Sequence, residues 1–189
     1  MDGNHHHHKF IYSEDERRKY EQPESILLSA GLKSGMTFID IGCNDGFFTV
    51  PAAKIVGQRG RVLASDIDDE ALLRLNDKLR QAGITNTKTY KSWGEEFLPE
   101  TGIADLIFFG IVLHDFYDPI AVLNNCREML VSQGSIYDFG WRKRASKMGP
   151  PLEKRLSEKQ VEKMANEAGL KVIGSSILGE DFYSVRLAK

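Results

Sequence analysis

Residues 36–46 read Met-Thr-Phe-Ile-Asp-Ile-Gly-Cys-Asn-Asp-Gly, and this stretch decides the fold. Its first six residues are mostly apolar or β-branched, which predicts a short buried strand. Gly42 and Gly46 then allow a sharp turn and a close approach of the backbone to a ligand. The stretch differs from the dinucleotide pattern G-x-G-x-x-G, because Asn44 replaces a glycine and Asp40 precedes the first one. Asp40 would repel a pyrophosphate and suit a cationic amine, although an ordinary strand-to-helix turn would also use two glycines.

Predicted strands and helices alternate on both sides of this stretch. After the first strand, helices are expected at 47–56, 69–82, 119–130 and 157–168, and strands at 61–65, 87–91, 104–110, 134–139, 170–178 and 182–188. Parallel strands joined by right-handed crossovers give an open sheet with helices on both faces. We therefore expect an α/β fold: a doubly wound, Rossmann-like, mostly parallel seven-stranded sheet that ends in an antiparallel hairpin. Ligands bind such sheets at the carboxyl ends of the strands.

Composition limits the class of protein. The 189 residues are 41% hydrophobic and 28% charged, which is typical of one globular domain. We expect a disordered tail at residues 1–12, which includes the run His5–His8, and a single domain at 13–189 whose residues 13–31 are helical. No apolar run approaches the ~18 residues of a membrane helix, and the start does not resemble a signal peptide. With only two cysteines and a net charge of −2, we expect a cytoplasmic protein that does not need nucleic acid as a partner.

A second acid, at the end of the second predicted strand, indicates the ligand. Asp66 stands where a carboxylate can accept hydrogen bonds from both hydroxyls of a ribose. It could instead cap the next helix, but Asp68 or Asp69 is better placed for that. A ribose, an amine and no pyrophosphate together match S-adenosylmethionine.

The sequence resembles the class I S-adenosylmethionine-dependent methyltransferases over residues 22–189. Residues 40–46 resemble the D/E-x-G-x-G-x-G loop of that family, with Asn44 at the middle glycine, a residue type that tolerates left-handed backbone. The closest likeness is to small prokaryotic, often archaeal, members related to the ubiquinone and menaquinone methyltransferases. The resemblance implies S-adenosylmethionine as cofactor, S-adenosylhomocysteine as product, and a ribose site at Asp66 and Ile67.

The resemblance also implies the rest of the cofactor site. Ser92 and Trp93 stand where the family reads the adenine, and Trp93 would stack on the ring or simply cover the sheet edge. Gly110 ends the fourth predicted strand beside the cofactor. Tyr20 belongs to an N-terminal segment that resembles a lid, or else forms a surface helix.

The acceptor side is predicted from the segments that follow the fourth and fifth strands. His114 and Asp115 come after the fourth, and histidine is the natural general base at neutral pH; His114 would alternatively only pack there. The loop 141–151, with basic residues continuing to Arg155, suggests a small and possibly anionic acceptor, or else a solvated loop. We expect the acceptor pocket between His114-Asp115, this loop and the lid at Tyr20.

Other functions fit less well. The N/D-P-P-Y/F motif of nucleic acid amino-methylating enzymes is absent after the fourth strand, which makes nucleic acid a less favoured partner than a small molecule. We predict no metal site. Two rival classes stay open: a non-catalytic S-adenosylmethionine-binding sensor or partner subunit, and a nicotinamide oxidoreductase, which Asp40 and the missing glycine disfavour.

Overall fold

The computed structural model describes residues 14–146 and 148–189, so the predicted tail and its histidine run lie outside the described part. Seven strands form one sheet. The strands are β1 Thr37–Ile41, β2 Arg61–Asp66, β3 Thr87–Lys91, β4 Ala104–Gly110, β5 Leu130–Trp141, β6 Lys171–Leu178 and β7 Phe182–Ala188. The helices are α1 Glu14–Arg18, α2 Pro23–Ser29, α3 Thr49–Val56, α4 Asp69–Gln81, α5 Pro119–Met129 and α6 Glu158–Glu167, with 3-10 turns at Gly94–Glu96 and Leu113–Asp115.

The strand order is β3-β2-β1-β4-β5-β7-β6. Strands β1 to β5 are parallel, whereas β7 pairs antiparallel with both β5 and β6. The predicted fold class is therefore confirmed. From β1 the chain moves outward to β3 and then returns to place β4 beside β1. Strand order reverses at that point, and the carboxyl ends of β1 and β4 border the crevice where such sheets bind ligands.

Local signals at the helix starts agree with the structure. The Asp68 carboxylate accepts hydrogen bonds from the backbone of Glu70 and Ala71 and so caps α4. Helix α5 begins in the same way, with Asp118 as the cap and proline at its first position. The predicted capping box of α6, between Ser157 and Gln160, is present.

Strand β5 differs from its predicted range of 134–139, because it begins directly after α5 and continues to Trp141. Its far end is extended by pairing with β7, where Trp141 is opposite Phe182. Gly134 is needed within it, since a Cβ there would lie 2.5 Å from the carbonyl oxygen of Ala104. Strand β2 also runs one residue further than predicted, to Asp66.

The core lies on both faces of the sheet, because alternate residues of a strand point to opposite sides. On one face, Ile107 and Phe109 pack against α5 and α6. On the other face, Phe38 and Phe108 pack against α2 and α3. Within the described ranges, each helix is too short or too polar to span a bilayer. The buried sheet thus gives a rigid support for the loops at its carboxyl edge.

Candidate functional site

The loop after β1 requires both of its glycines. Gly42 has a φ of +76°, and a Cβ there would lie 2.5 Å from a methyl carbon of Val112. Gly46 has a φ of +91°, and a Cβ there would lie 2.4 Å from a methyl carbon of Leu75. The conformation and the limited space therefore both disfavour a side chain at these two positions.

Asp66 holds this loop from the neighbouring strand. Its Oδ2 accepts a hydrogen bond of 2.8 Å from the backbone N–H of Asn44, and its Oδ1 accepts one of 3.0 Å from the N–H of Asp68. Asn44 takes the left-handed conformation at φ +46°. Its own side-chain oxygen accepts a hydrogen bond of 2.7 Å from the N–H of Asp45. The second acid and the Asn in the loop thus belong to one hydrogen-bonded unit.

A cavity of about 730 Å³ opens at the carboxyl ends of β1 to β4, and we call it the large cavity. Two predicted pairs, Asp66-Ile67 and Ser92-Trp93, line it together with Gly42. The backbone N–H of Ser92 donates to the carbonyl of Asp66, which joins the ends of β3 and β2. Trp93 is 44% exposed and forms part of the lining of this cavity. The full lining is Ile41, Gly42, Ser65, Asp66, Ile67, Ser92, Trp93, Gly94, Glu95, Glu96, Val112, Asp115, Phe116, Tyr117 and Lys154.

Two residues predicted to bind the cofactor lie beneath the site. Asp40 is 1% exposed and accepts a hydrogen bond of 2.6 Å from the hydroxyl of Thr49. Burial raises the pKa of Asp40 to about 7, although the bond from Thr49 opposes this shift and the charge of Asp66 adds to it. Gly110 lies under the ring of Phe48, where a Cβ would come within 2.7 Å of ring carbons. Both residues therefore shape the loop from below, and Asp40 does not present its carboxylate to the large cavity.

The predicted lid segment packs against the glycine loop rather than over the large cavity. The guanidinium of Arg17 lies 3.9 Å from the ring centroid of Phe47. The ammonium of Lys78 lies 3.0 Å from a carboxylate oxygen of Glu14 and 3.0 Å from one of Asp45, so it joins α1, α4 and the loop. Tyr20 is 58% exposed and lines a separate groove beside the β6–β7 hairpin. The structure thus brings the lid to the loop but does not bring Tyr20 to the large cavity.

His114 and Asp115 face two different cavities. Both lie in the 3-10 turn Leu113–Asp115, which follows Ile111 at φ +64°, an unusual conformation for a β-branched residue. Asp115 lines the large cavity. The side chain of His114 is only 9% exposed and lines a second, much smaller cavity of about 10 Å³. Its Nε2 lies 3.6 Å from Oδ1 of Asp115, and Val112 lines both cavities.

Basic side chains of the predicted basic loop hold much of that loop in place through hydrogen bonds and ion pairs. The guanidinium of Arg155 donates to four backbone carbonyls, those of Pro150, Arg142, Arg144 and Met148. Arg144 pairs with Glu180 and Asp181 on the β6–β7 turn. Lys154 extends to the large cavity, and Lys147 lies outside the described residues.

Acidic residues outnumber basic ones around the large cavity. Its charged side chains are Lys154 and four acids, Asp66, Glu95, Glu96 and Asp115. The lining therefore favours a ligand that carries positive charge. Among the described residues, no three His, Cys, Asp or Glu side chains are grouped as metal ligands would be.

Several lining residues were missed in the sequence. Glu95 and Glu96 follow Ser92 and Trp93 after one intervening residue, Gly94. Glu95 also accepts a hydrogen bond of 3.1 Å from the N–H of Asp118. Phe116 packs on Gly94, where a Cβ would lie 2.5 Å from its ring. The only signal for these residues was their position just after predicted strand ends.

Comparison with protein families gives a match over most of the chain. The profile of a family described as "Methyltransferase domain" matches residues 32–185. A curated relative, the ubiquinone/menaquinone biosynthesis C-methyltransferase UbiE of Shewanella frigidimarina, is 31% identical over 108 residues. That match covers 57% of this chain and 43% of the relative, so the chain spans less than half the length of the curated relatives it matches.

Solved structures extend the likeness to the whole fold. A SAM-dependent methyltransferase from Aquifex aeolicus superposes with a TM-score of 0.84 at 26% identity, and the match covers 93% of this chain and 98% of that one. A structure described as a putative type 11 methyltransferase, from Sulfolobus solfataricus, superposes with a TM-score of 0.68 at 22% identity, over 81% of this chain and 83% of that one. The second likeness concerns the fold alone.

Proposed function

Because this chain belongs to the methyltransferase-domain family, we propose that it binds S-adenosylmethionine in the large cavity and methylates a small-molecule acceptor. S-adenosylmethionine supplies a methyl group that is already activated on a sulfonium. The observation that carries the proposal is the lining of one cavity by Gly42, Asp66 and Trp93, at the point where strand order reverses. Its volume of about 730 Å³ is within the usual range for small-molecule sites.

We assign the ribose to Asp66 and the adenine to Ser92 and Trp93. Each carboxylate oxygen of Asp66 accepts one backbone hydrogen bond and keeps a second lone pair for a ribose hydroxyl. The half-exposed indole of Trp93 offers a flat face for stacking, and Ile67 adds an apolar contact beside it. Asp40, Asn44, Gly46 and Gly110 then act by keeping the loop in shape.

The acceptor belongs on the side of the large cavity formed by Asp115, Phe116, Tyr117 and Lys154. The enzyme has to align the acceptor, exclude water and take a proton where the acceptor carries one. His114 and Asp115 are the proposed proton-handling residues. An anionic acceptor is supported by Lys154 alone among the charged residues of this lining, while the four acids suit the positive charge of the methyl donor.

The comparisons do not favour either of the two alternative classes of protein. The family profile and the aligned Aquifex structure both belong to methyltransferases, which leaves no argument for a nicotinamide oxidoreductase. The alternative of a non-catalytic S-adenosylmethionine binder has no support from the family profile or from the relatives described above.

A thermal-shift comparison of the full chain tests the cofactor. Saturating S-adenosylhomocysteine should raise the unfolding temperature by mass action, whereas NAD should not. Stabilisation by NAD alone would refute the proposal. Radiolabelled methyl transfer to pools of small molecules then tests the activity, with the Asp66→Ala variant as the matched control.

A further inference from the structure

The small cavity, lined in part by His114, shares one lining residue, Val112, with the large cavity. Its volume of about 10 Å³ is close to that needed by one water molecule. Polar side chains of His114, Asp138, Trp141 and Tyr183 line it. A cavity of this size and polarity is where buried water is found in proteins.

A buried pair forms one wall. Asp138 on β5 is 1% exposed, and one of its oxygens accepts a hydrogen bond of 2.9 Å from the hydroxyl of Tyr183 on β7. Gly140 makes this contact possible, because a Cβ there would lie 2.7 Å from the Tyr183 hydroxyl. The absence of a side chain at Gly140 in β5 therefore leaves room for Tyr183 beside Asp138.

Another wall carries an unsatisfied donor. The indole Nε1–H of Trp141 is buried and has no hydrogen-bond partner among the described residues. Leaving such a group unpaired is unfavourable, so buried donors nearly always have a partner. A water in the cavity that Trp141 lines would satisfy it and would also reach the carboxylate of Asp138.

The same cavity is joined to the candidate active site through His114. Its Nε2 lies 3.6 Å from Oδ1 of Asp115, which lines the large cavity. Contacts that transfer protons are often this long before a substrate is bound and shorten afterwards. Ionisable side chains thus follow one another from the large cavity inward: Asp115, His114, Asp138.

We propose that a water in the small cavity, held by Asp138 and Trp141, links His114 to the buried Asp138–Tyr183 pair, and that this pair positions His114 and stores the proton released by the acceptor. The proposal rests on the proposed function. When an O–H or N–H acceptor is methylated, its heteroatom bonds to carbon as the carbon–sulfur bond breaks, and sulfur keeps the electron pair. The acceptor's proton passes to Asp115 and then to one nitrogen of His114. The other nitrogen releases its proton through the water, and Asp138 ends neutral.

The charges around the pair are compatible with this role. Burial raises the pKa of Asp138 to about 7, against the opposing effect of the bond from Tyr183, so the carboxylate can take up a proton near neutral pH. Burial first, and then Asp138, raises the pKa of Tyr183, which therefore stays a hydrogen-bond donor. The other charged groups that face the pair are Arg155, in the cavity lining, and Glu158, whose charge acts on Tyr183.

Histidine titration by NMR on the full chain tests the link without any substrate. His114→Gln identifies the His114 signal by its loss. Asp138→Asn should lower the pH midpoint of His114, because the ionised fraction of Asp138, which favours the imidazolium, is removed. The matched control is Asp105→Asn, an acid at the opposite end of β4 that binds the N–H of Thr37, and it should leave the midpoint unchanged. An unchanged midpoint in Asp138→Asn would overturn the proposal.

A second variant covers the case in which Asp138→Asn does not fold. Tyr183→Phe keeps the ring, removes the hydroxyl, and should shift the His114 midpoint in the same direction by a smaller amount; no shift refutes the link. A crystal structure at high resolution should show one ordered water bonded to Trp141 Nε1. A cavity that contains no water would refute the proposal that a water links His114 to Asp138. S-adenosylhomocysteine binding is measured on the same samples. Lost binding with an intact His114 shift counts against the proposed function alone, whereas intact binding with no shift counts against the relay alone.

Discussion

Replacing Asp66 with alanine separates its two roles in the structure. The carboxylate accepts hydrogen bonds from the backbone of Asn44 and Asp68, and it lines the large cavity where we assign the ribose. Asp66→Ala should therefore weaken S-adenosylhomocysteine binding and also loosen the glycine loop. The two effects fall on different measurements, because one appears in affinity and the other in stability without ligand.

The magnitudes follow from the hydrogen bonds lost. Hydrogen bonds to a charged group contribute about 1.5–3 kcal/mol, so losing the ribose contacts should cost about 1–3 kcal/mol of binding, or a 5- to 150-fold rise in Kd. The two backbone donors are only partly buried and can turn to water, which limits the stability loss to about 1–2 kcal/mol. Asp66→Asn, which keeps one acceptor oxygen, should give intermediate values.

Isothermal calorimetry with S-adenosylhomocysteine, together with urea unfolding of the ligand-free protein, measures both effects. The control is Asp68→Ala, which removes the cap of α4 but leaves the Asp66 carboxylate in place. It should cost about 1 kcal/mol of stability and leave the affinity unchanged. Equal Kd values for Asp66→Ala and the wild-type protein would refute the ribose assignment. Equal losses of affinity in Asp66→Ala and Asp68→Ala would show that binding depends on the start of α4 and not on a ribose contact of Asp66.

Four other substitutions test separate parts of the structure. Asn44→Gly, at φ +46°, should leave S-adenosylhomocysteine affinity the same or tighter in calorimetry, and a tenfold loss would mean that the Asn side chain itself is needed. Arg155→Met should destabilise the protein by about 2–4 kcal/mol and make loop 142–155 a site of limited proteolysis, because four carbonyls lose a charged donor. A loop that the protease does not cleave would contradict this prediction. Lys78→Met should cost at most about 1 kcal/mol in thermal unfolding, because its ion pairs are partly exposed, yet should speed amide exchange in α1. Folding raises the pKa of Asp138 from 3.8 to about 7, so between these values the folded protein keeps a proton that the unfolded chain has lost, and the free energy of unfolding falls as pH rises. Urea unfolding should show that the free energy of unfolding of Asp138→Asn falls less over this pH range than that of the wild-type protein. An equal fall in both proteins would contradict the prediction.

The sequence alone determined the elements and the family. Runs of apolar residues bounded by glycine, the caps at Asp68 and Asp118, and the glycine loop are local signals, because each depends on residues a few positions apart. Asp66 could be singled out because strand ends in a parallel sheet meet at one edge. The fold class predicted from these signals is confirmed, and so is the methyltransferase family that the sequence resembles.

Only the tertiary structure decided where the side chains of the candidate site point. His114 and Asp115 are adjacent in sequence yet enter different cavities, because a 3-10 turn after Ile111, at φ +64°, directs consecutive side chains apart. Arg155 was predicted as one of the basic residues beside the acceptor. It is instead buried and binds four backbone carbonyls, which come together only when the loop folds back. Asp138 and Tyr183 are 45 residues apart, and they meet because β7 is inserted antiparallel beside β5. No local pattern encodes a contact of that kind, since it depends on the order of strands in the sheet.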